Sequence, residues 1–269
     1  MLRIESLKKS FNGKFVLTDV NFTIKRGEIL ALVGPNGAGK TTTINCITGV
    51  FPKDGGKIYF EDEEFTEIHK EKIAVVPEDR VVFPKLNGKD YYKLWSTLYS
   101  SWNEKVFERF IAKYNFNLSQ RIETYSIGMK TLFLVGLAVS SGAEILLLDE
   151  PTQHLDPTIR IEIMKIIRDY AETGKSVLVS SHEIFELEEY ADNIAIIKEG
   201  RVIFTDSIDH AKETHKILSS GEELTDGTII GLVKNELLVK TDIEIGRYPK
   251  LSEIVIGYLT GKQSSNIFE

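Results

Sequence analysis

Residues 28–46, EILALVGPNGAGKTTTINC, decide the fold. The stretch begins with the apolar run ILALV, passes through a glycine-rich turn and continues with residues that suit a helix. An uninterrupted apolar run is typical of a strand that is buried on both faces of a parallel sheet. The order strand, turn, helix therefore predicts an α/β protein whose turn lies at the carboxyl edge of the sheet, where such proteins hold ligands.

The turn GPNGAGKT, residues 34–41, matches the spacing G-x-x-x-x-G-K-[ST] of the P-loop, a phosphate-binding motif. Its glycines allow a tight backbone turn, so that successive amide groups and the positive end of the following helix face one concavity. Lys40 can reach the β- and γ-phosphates of a nucleotide, and the hydroxyl of Thr41 is a suitable ligand for Mg²⁺. A glycine-rich turn with a surface lysine is the alternative, but it does not require this spacing. The predicted nucleotide-binding residues of this segment are Gly34, Pro35, Asn36, Gly37, Ala38, Gly39, Lys40, Thr41 and Thr42.

A second apolar strand, ILLLDE at residues 145–150, ends in two adjacent acids. A carboxylate at the end of a buried strand costs free energy unless a positive charge meets it. Asp149 is predicted to orient Mg²⁺, through water because Mg²⁺ dehydrates reluctantly. Glu150 is then free to accept a proton from the water that attacks the γ-phosphate. A strand that ends in solvated acids, the alternative, would not need the four apolar residues before them.

Composition restricts the class of protein. The net charge of −7 argues against a nucleic-acid-binding protein, whose affinity usually depends on a basic face. The single cysteine, Cys46, excludes an internal disulfide and favours a reducing compartment. No stretch approaches the ~20 apolar residues that a membrane helix needs, and the amino-terminal residues do not resemble a signal peptide. We therefore expect any membrane role to depend on a partner.

Strand and helix patterns predict the organisation of the chain. Residues 2–25 favour antiparallel strands with a turn at Asn12-Gly13. Aromatic and charged residues recur at helical spacing from residue 83 to about 122, and a further helix follows. Strands and helices then alternate, which indicates a parallel sheet with covering helices. We expect one domain at residues 1–206 and a small accessory segment at residues 207–269.

The accessory segment has its own helix and strand patterns. IDHAKETHKIL, residues 208–218, favours a helix, and three short strand-like runs follow. A last helix is expected at SEIVIGYLTG, residues 252–261, before a polar tail. The sequence assigns no role to this segment, which could regulate activity or contribute to a dimer contact.

The P-loop followed by LLLDEPT at residues 146–152 resembles the ATP-binding-cassette (ABC) ATPases, and the resemblance covers roughly residues 1–206. It implies a P-loop NTPase fold of the ABC-ATPase type, with a parallel core sheet, an N-terminal antiparallel β subdomain and an inserted α-helical subdomain at about 83–140. It also implies that the protein binds ATP and Mg²⁺ and hydrolyses ATP, with Lys40, Glu150 and His182 as the catalytic residues.

Three residues acquire a role through this resemblance. Phe11 matches the aromatic residue that stacks on adenine, although Phe15 is a competing candidate and a core aromatic of the hairpin is the alternative. Glu78, in VVPEDR, lies where the family has a glutamine, and its carboxylate could ligate Mg²⁺ together with Thr41 and Asp149. His182, which ends the strand VLVSSH, resembles the histidine that contacts the γ-phosphate and the catalytic glutamate.

YSIGMK, residues 125–130, occupies the place of the family signature, usually Leu-Ser-Gly-Gly-Gln. Ser126 and Gly128 match it, whereas Ile127 replaces a glycine. A serine hydroxyl, a glycine amide and a helix N-terminus can form an anion site, although Ser126 could also be a simple helix cap. In the family this element contacts the ATP of the other subunit, which implies two ATPs between two nucleotide-binding domains, identical or related.

The combined expectation is the ATP-binding subunit of an ABC transporter, similar to the bacterial subunits that serve exporters of peptides, antibiotics or drugs. Its partners would be an integral-membrane subunit and a second nucleotide-binding domain, with no nucleic acid. It would be cytoplasmic and peripheral on the membrane through its partner. An importer subunit and a soluble ABC ATPase that acts on ribosomes or DNA are the alternatives.

Overall fold

The computed structural model describes residues 1–219 and 221–261, which form two sheets with flanking helices. The strands are β1 (Leu2–Phe11), β2 (Lys14–Ile24), β3 (Ile29–Val33), β4 (Gly55–Phe60), β5 (Glu63–Glu64), β6 (Ile73–Val76), β7 (Ile145–Asp149), β8 (Ser176–Ser181), β9 (Asn193–Lys198), β10 (Arg201–Ser207), β11 (His215–Leu218), β12 (Thr228–Val233) and β13 (Glu236–Lys240). The α-helices are α1 (Lys40–Ile47), α2 (Gly88–Leu98), α3 (Glu104–Lys113), α4 (Ile127–Ser140), α5 (Pro157–Glu172), α6 (Leu187–Tyr190), α7 (Ile208–Thr214) and α8 (Leu251–Thr260).

The large sheet has ten strands in the order β5-β4-β1-β2-β10-β9-β3-β8-β7-β6. Strands β9, β3, β8, β7 and β6 pair in parallel, whereas β1, β2, β4 and β5 pair as an antiparallel unit. β10 connects the two parts, because it pairs with β9 in antiparallel fashion and with β2 in parallel. The predicted fold class, with a parallel core and an N-terminal antiparallel unit, is confirmed.

The central strands are buried along their whole length. Every residue of β3, β7 and β8 is buried, as continuous apolar runs predict for strands that are covered on both faces. One cluster of buried side chains lies on each face of the sheet. As a consequence, the polar groups at the carboxyl ends of these strands lie next to a closely packed core.

The turn between β1 and β2 follows the prediction from Asn12-Gly13. Both residues have positive φ, 49° and 78°, as a two-residue hairpin turn of type I′ requires. Glycine adopts this conformation without penalty, and asparagine tolerates it better than most residues.

Helices α2, α3 and α4 lie between β6 and β7 in the chain, where the sequence predicted helices at about 83–140. Asn87, Asn103 and Ser126 cap their N-termini by accepting hydrogen bonds from backbone amides. α4 is apolar on nearly all sides and almost wholly buried, because it packs against α3, α5 and β6. The rings of Tyr91 and Phe133 meet edge to face at 6.2 Å within the same core.

The last part of the described chain forms a second sheet of three antiparallel strands, β11-β13-β12. The predicted helix over 208–218 is wrong in its last four residues, since α7 ends at Thr214 and residues 215–218 form β11. β11 pairs with β13 from His215↔Lys240 to Leu218↔Leu237, and this long-range pairing overrides the local helical pattern. The division of the chain at residue 206 stays a prediction, and the predicted polar tail lies outside the described residues.

His215 is a completely buried titratable group of this second sheet. Its Nδ1 lies 2.7 Å from the carbonyl oxygen of Ala211, and its Nε2 lies 3.0 Å from the hydroxyl of Tyr258. Burial lowers the pKa of His215, because the charged ring would lose its hydration, and the hydrogen bond to Ala211 only partly opposes this effect. The folded protein therefore holds His215 neutral at a pH where an unfolded chain would already bind a proton.

We expect the stability of the wild-type protein to fall as the pH drops below the ordinary histidine pKa of about 6.5, by up to about 1.4 kcal/mol per pH unit from His215. The loss continues until the pH reaches the lowered pKa of the folded state. His215→Gln keeps a neutral polar group and removes this contribution. Urea unfolding followed by circular dichroism at several pH values should show a flatter dependence for the variant, and parallel curves would contradict the assignment.

Candidate functional site

The loop of residues 34–39 joins β3 to α1 and has little room for side chains. A Cβ added to Gly34 would lie 2.2 Å from the carbonyl oxygen of Ile197, and one on Gly39 would lie 2.6 Å from Leu17 Cδ2. Gly39 also has a φ of 112°, which disfavours other residues. The glycine spacing is thus a steric requirement of a loop that lies against the sheet.

A cavity of ≈ 260 Å³ opens beside this loop. The residues that line it come from most of the predicted phosphate-binding segment, with one residue from each of three other segments. The lining residues are Val16, Asn36, Gly37, Gly39, Lys40, Thr41, Thr42, Glu78 and Glu150. The structure therefore brings the P-loop, the loop after β6 and the end of β7 to one site.

Lys40 is buried at the centre of this arrangement. Its Nζ donates a hydrogen bond to the carbonyl oxygen of Gly34 at 2.8 Å and lies 3.2 Å from Oε1 of Glu150. A buried carboxylate needs a positive partner, and Lys40 supplies it for Glu150. The lysine ammonium is fixed from two sides and faces the concavity of the loop.

Asp149 is 2% exposed, and burial raises the pKa of its carboxyl group. Hydrogen bonds from the hydroxyls of Ser180 and Thr41 oppose this increase in pKa. Ser180, on the neighbouring strand β8, donates to Oδ1 of Asp149, and its Oγ accepts from the amide of Glu150 at 3.0 Å. Sequence analysis missed Ser180, although a pair of serines at the end of an apolar strand, beside the Asp-Glu strand, is the signal that could have found it.

Glu150 and His182 form the other half of the site. The Nδ1 of His182 lies 2.9 Å from Oε2 of Glu150, and the backbone amide of His182 donates to the same oxygen at 3.3 Å. Glu150 has a φ of 47°, an unusual value that directs its side chain off the end of β7. Both oxygens of this carboxylate are therefore fixed, one by Lys40 and one by His182.

The donor set fits Mg²⁺. Thr41 Oγ1 lies 3.4 Å from Glu78 Oε2, and its single hydroxyl proton can be donated either to Glu78 or to Asp149. Hydroxyl and carboxylate oxygens are the ligands that Mg²⁺ prefers. Among the described residues no group of three or more His, Cys, Asp or Glu side chains could hold a metal ion by itself. An ion at this site would thus depend on phosphate oxygens as well, which is usual for Mg²⁺ with nucleotides.

Eight of the predicted site residues do not line the cavity: Phe11, Gly34, Pro35, Ala38, Ser126, Gly128, Asp149 and His182. Phe11 is 39% exposed, and its ring meets the edge of Phe51 at 5.2 Å. Ser126 caps α4, accepting from the amide of Met129 at 3.2 Å, and a Cβ on Gly128 would lie 3.6 Å from Ile159. Pro35 and Ala38 belong to the loop through a hydrogen bond from the Ala38 amide to the Pro35 carbonyl oxygen at 3.1 Å.

Comparisons with known proteins agree on one family. The model of the ABC transporter family matches residues 17–153. The chain is 35% identical to the linearmycin resistance ATP-binding protein LnrL of Bacillus subtilis, over 76% of this chain and 68% of that protein. It is 32% identical to the lantibiotic transport ATP-binding protein SrtF of Streptococcus pyogenes, over 82% of this chain and 96% of that protein.

Solved structures give the same result. An ATP-binding subunit of an ABC transporter has a TM-score of 0.72 and 28% identity, over 79% of this chain and 92% of that chain. A dimeric ATP-binding cassette in a post-hydrolysis state has the same fold, with a TM-score of 0.68 and 21% identity, over 77% of this chain and 99% of that chain. The chain belongs to the ABC transporter family, as one of its ATP-hydrolysing, ATP-binding subunits.

Proposed function

We propose that this ATPase drives export of an antibiotic-like or peptide compound through a separate membrane protein. The names of three relatives support this direction: linearmycin resistance, lantibiotic transport, and a SkfA peptide export protein of Bacillus subtilis with 30% identity over 76% of this chain. A xylose import ATP-binding protein is also 32% identical, but the match spans only 48% of that protein. Import is therefore the second candidate.

The observation that carries the mechanism is the position of Ser126 and Gly128. They lie at the N-terminus of α4 and do not line the cavity beside Lys40 of their own chain. A helix N-terminus attracts anions, because its first amides are unpaired and its dipole end is positive. We propose that two nucleotide-binding domains face each other, so that Ser126 and Gly128 of one domain close the ATP site of the other. The second domain can be identical or a paralogue.

Each residue of the site has a proposed task in cis. The P-loop amides and Lys40 hold the phosphates, and Thr41, Glu78 and Asp149 hold Mg²⁺, which neutralises phosphate charge when bound. Glu150 accepts the proton of the attacking water, because its carboxylate is oriented and faces the cavity. His182 keeps Glu150 in place through its ring and its amide. Phe11, half-exposed and backed by Phe51, offers a ring face for adenine.

The membrane partner is proposed from an exposed apolar patch. Within residues 1–219 and 221–261, no helix combines the length and apolar character that crossing a membrane would need. Large apolar side chains are exposed before and along α2, namely Val81, Phe83, Leu94 and Leu98. Such a patch suits an apolar helix of another protein. We propose that it receives a cytoplasmic helix of the integral-membrane subunit, so that the ATPase is held at the cytoplasmic face of the membrane.

Glu150→Gln should reduce ATP hydrolysis by about 10²–10⁴-fold, because the amide cannot accept the proton, while ATP still binds. The variant should accumulate as an ATP-bound dimer on gel filtration with Mg²⁺ and ATP. Glu144→Gln is the matched control, since Glu144 precedes the same strand at its other end, where it pairs with Lys175 at 3.2 Å. ATP hydrolysis at the normal rate by Glu150→Gln would show that Glu150 is not the base.

Ser180→Ala should shift the acidic limb of the pH profile of kcat/KM to higher pH. The Ser180 hydroxyl lowers the pKa of Asp149, so its loss leaves burial less opposed and favours the protonated carboxyl group, which cannot hold Mg²⁺. The Mg²⁺ concentration for half-maximal activity should rise by about 10-fold or more. Ser176→Ala is the control, because this buried serine of the same strand has no hydrogen-bond partner for its hydroxyl among the described residues. Equal pH profiles of kcat/KM for the two variants would argue against the role of Ser180 in keeping Asp149 ionised.

The export proposal is tested by purification from detergent-solubilised membranes. An integral-membrane protein should co-purify with the wild-type chain, and Phe83→Glu should release it while retaining ATP hydrolysis. Ile68→Glu changes an exposed apolar side chain of another segment, before β6, and should retain the partner. Transport assays with vesicles of the purified complex then give the direction. Recovery with ribosomes or DNA only would defeat the transporter proposal.

A further inference from the structure

Arg80 is a buried arginine that the proposed mechanism does not use. It is 5% exposed and lies in the loop after β6, two residues beyond Glu78. Its Nε donates to Oγ1 of Thr131 at 2.7 Å, and one terminal nitrogen donates to the carbonyl oxygen of Glu78 at 2.8 Å. The two N–H groups of the other terminal nitrogen are shared among three carbonyl oxygens, those of Glu150 at 3.0 Å, Pro151 at 3.2 Å and Gln153 at 3.2 Å.

This environment is unusual for a guanidinium group. No carboxylate of the described residues forms an ion pair with Arg80, and backbone carbonyl oxygens together with one hydroxyl satisfy its donors. Burial lowers the pKa of Arg80, while the negative charges of Glu78, Asp79 and Glu150 act in the opposite direction. A buried charge costs free energy, so its retention needs a reason other than stability alone. The planar, forked guanidinium can bind all of these acceptors at once, which a lysine cannot do.

The contacts of Arg80 connect two segments of the ATP site to helix α4. Glu78 lines the cavity, and Glu150 provides the proposed base. Thr131 belongs to α4, and its hydroxyl donates to the carbonyl oxygen of Ile127, the residue after Ser126. A chain of hydrogen bonds thus leads from the first turn of α4, through Arg80, to the backbone of Glu150.

The backbone of this connection is strained at Arg80 and at Glu150. Arg80 has a φ of 48° and Glu150 has a φ of 47°, values that non-glycine residues adopt only where their surroundings hold them. Arg80 binds the carbonyl oxygen of Glu150 itself, so it acts on the residue whose conformation directs the carboxylate into the cavity. Removal of Arg80 would remove the hydrogen bond that holds this conformation. It would also leave the carbonyl oxygens of residues 150, 151 and 153 without this donor.

We propose that Arg80 is a positioning residue for ATP hydrolysis, which holds the Glu150 backbone in its productive conformation and connects it to the first turn of α4. Arg80 does not line the cavity, so it acts through Glu150 and Glu78 and does not contact the nucleotide. The inference rests on the proposed function, in which α4 closes the ATP site of the facing domain. In that dimer, contact between Ser126 of one chain and the ATP of the facing chain would change the position of Glu150 in the first chain. The two ATP sites would thereby be coupled.

The test compares kcat with the dissociation constant for ATP. Arg80→Ala should lower kcat by about 10²-fold, because a small displacement of the base is costly, while the dissociation constant for ATP stays within about threefold. Methylguanidinium added at millimolar concentration should restore at least part of kcat, whereas methylammonium, with the same charge but no fork, should not. Arg168→Ala is the matched control, since Arg168 binds Asp192 at 2.8 Å away from Glu150, and it should show neither loss nor rescue.

If Arg80→Ala does not fold, Arg80→Lys retains the charge without the fork and should give the same selective loss of kcat. Thr131→Val removes only the connection to α4 and should lower the Hill coefficient for ATP towards one. A normal kcat in Arg80→Ala or Arg80→Lys would overturn the proposal, as would a proportional loss of kcat and ATP binding without rescue. A wild-type Hill coefficient of one would contradict the proposed dimer instead, and the rescue experiment would still decide the role of Arg80.

Discussion

Two adjacent carboxylates at the end of a buried strand are the constraint on which the site depends. Asp149 and Glu150 are both nearly inaccessible, and desolvation of two like charges is costly in any protein interior. The surrounding elements supply what these groups need. Lys40 from α1 meets Glu150, Ser180 from β8 donates to Asp149, and His182 from the end of β8 fixes the second oxygen of Glu150. The parallel sheet is what makes this possible, because β3, β7 and β8 end side by side.

The balance of charge explains why the site suits a cation bound together with phosphates. Three carboxylates, Glu78, Asp149 and Glu150, contribute −3 when ionised, and Lys40 contributes +1, which leaves −2; the charges of Arg80 and Asp79 behind the site cancel each other. Burial already raises the pKa of Asp149, and the charge of Glu150 raises it further. A divalent cation relieves both effects, whereas a nucleotide without a cation would add to the repulsion. The acid at position 78, where the resemblance leads one to expect a neutral glutamine, makes this dependence on a cation stronger.

Local patterns in the sequence were sufficient to predict the P-loop, the Asp-Glu strand and most elements of the fold. Gly34 and Gly39 are fixed by steric contacts that any residue with a Cβ would violate, so their spacing carries the prediction. Ser180 and Arg80 were not assigned in the same way, because the end of β7 and the residues after it, which both contact, lie 30 to 73 residues away along the chain. The strand at 215–218 escaped prediction for the same reason, since only its pairing with β13 distinguishes it from a continuation of α7.

Ser126 shows how a structural and a functional interpretation can both hold for one hydroxyl group. As the cap of α4 it accepts a hydrogen bond from the amide of Met129, which uses one lone pair of its oxygen. The hydroxyl proton remains able to donate to a phosphate oxygen of a facing domain, and the other amides of the first turn point the same way. Ile127, 46% exposed beside it, offers apolar surface to the same contact. In the proposed dimer the cap would prepare the anion site, because it fixes the rotamer from which the hydroxyl would donate.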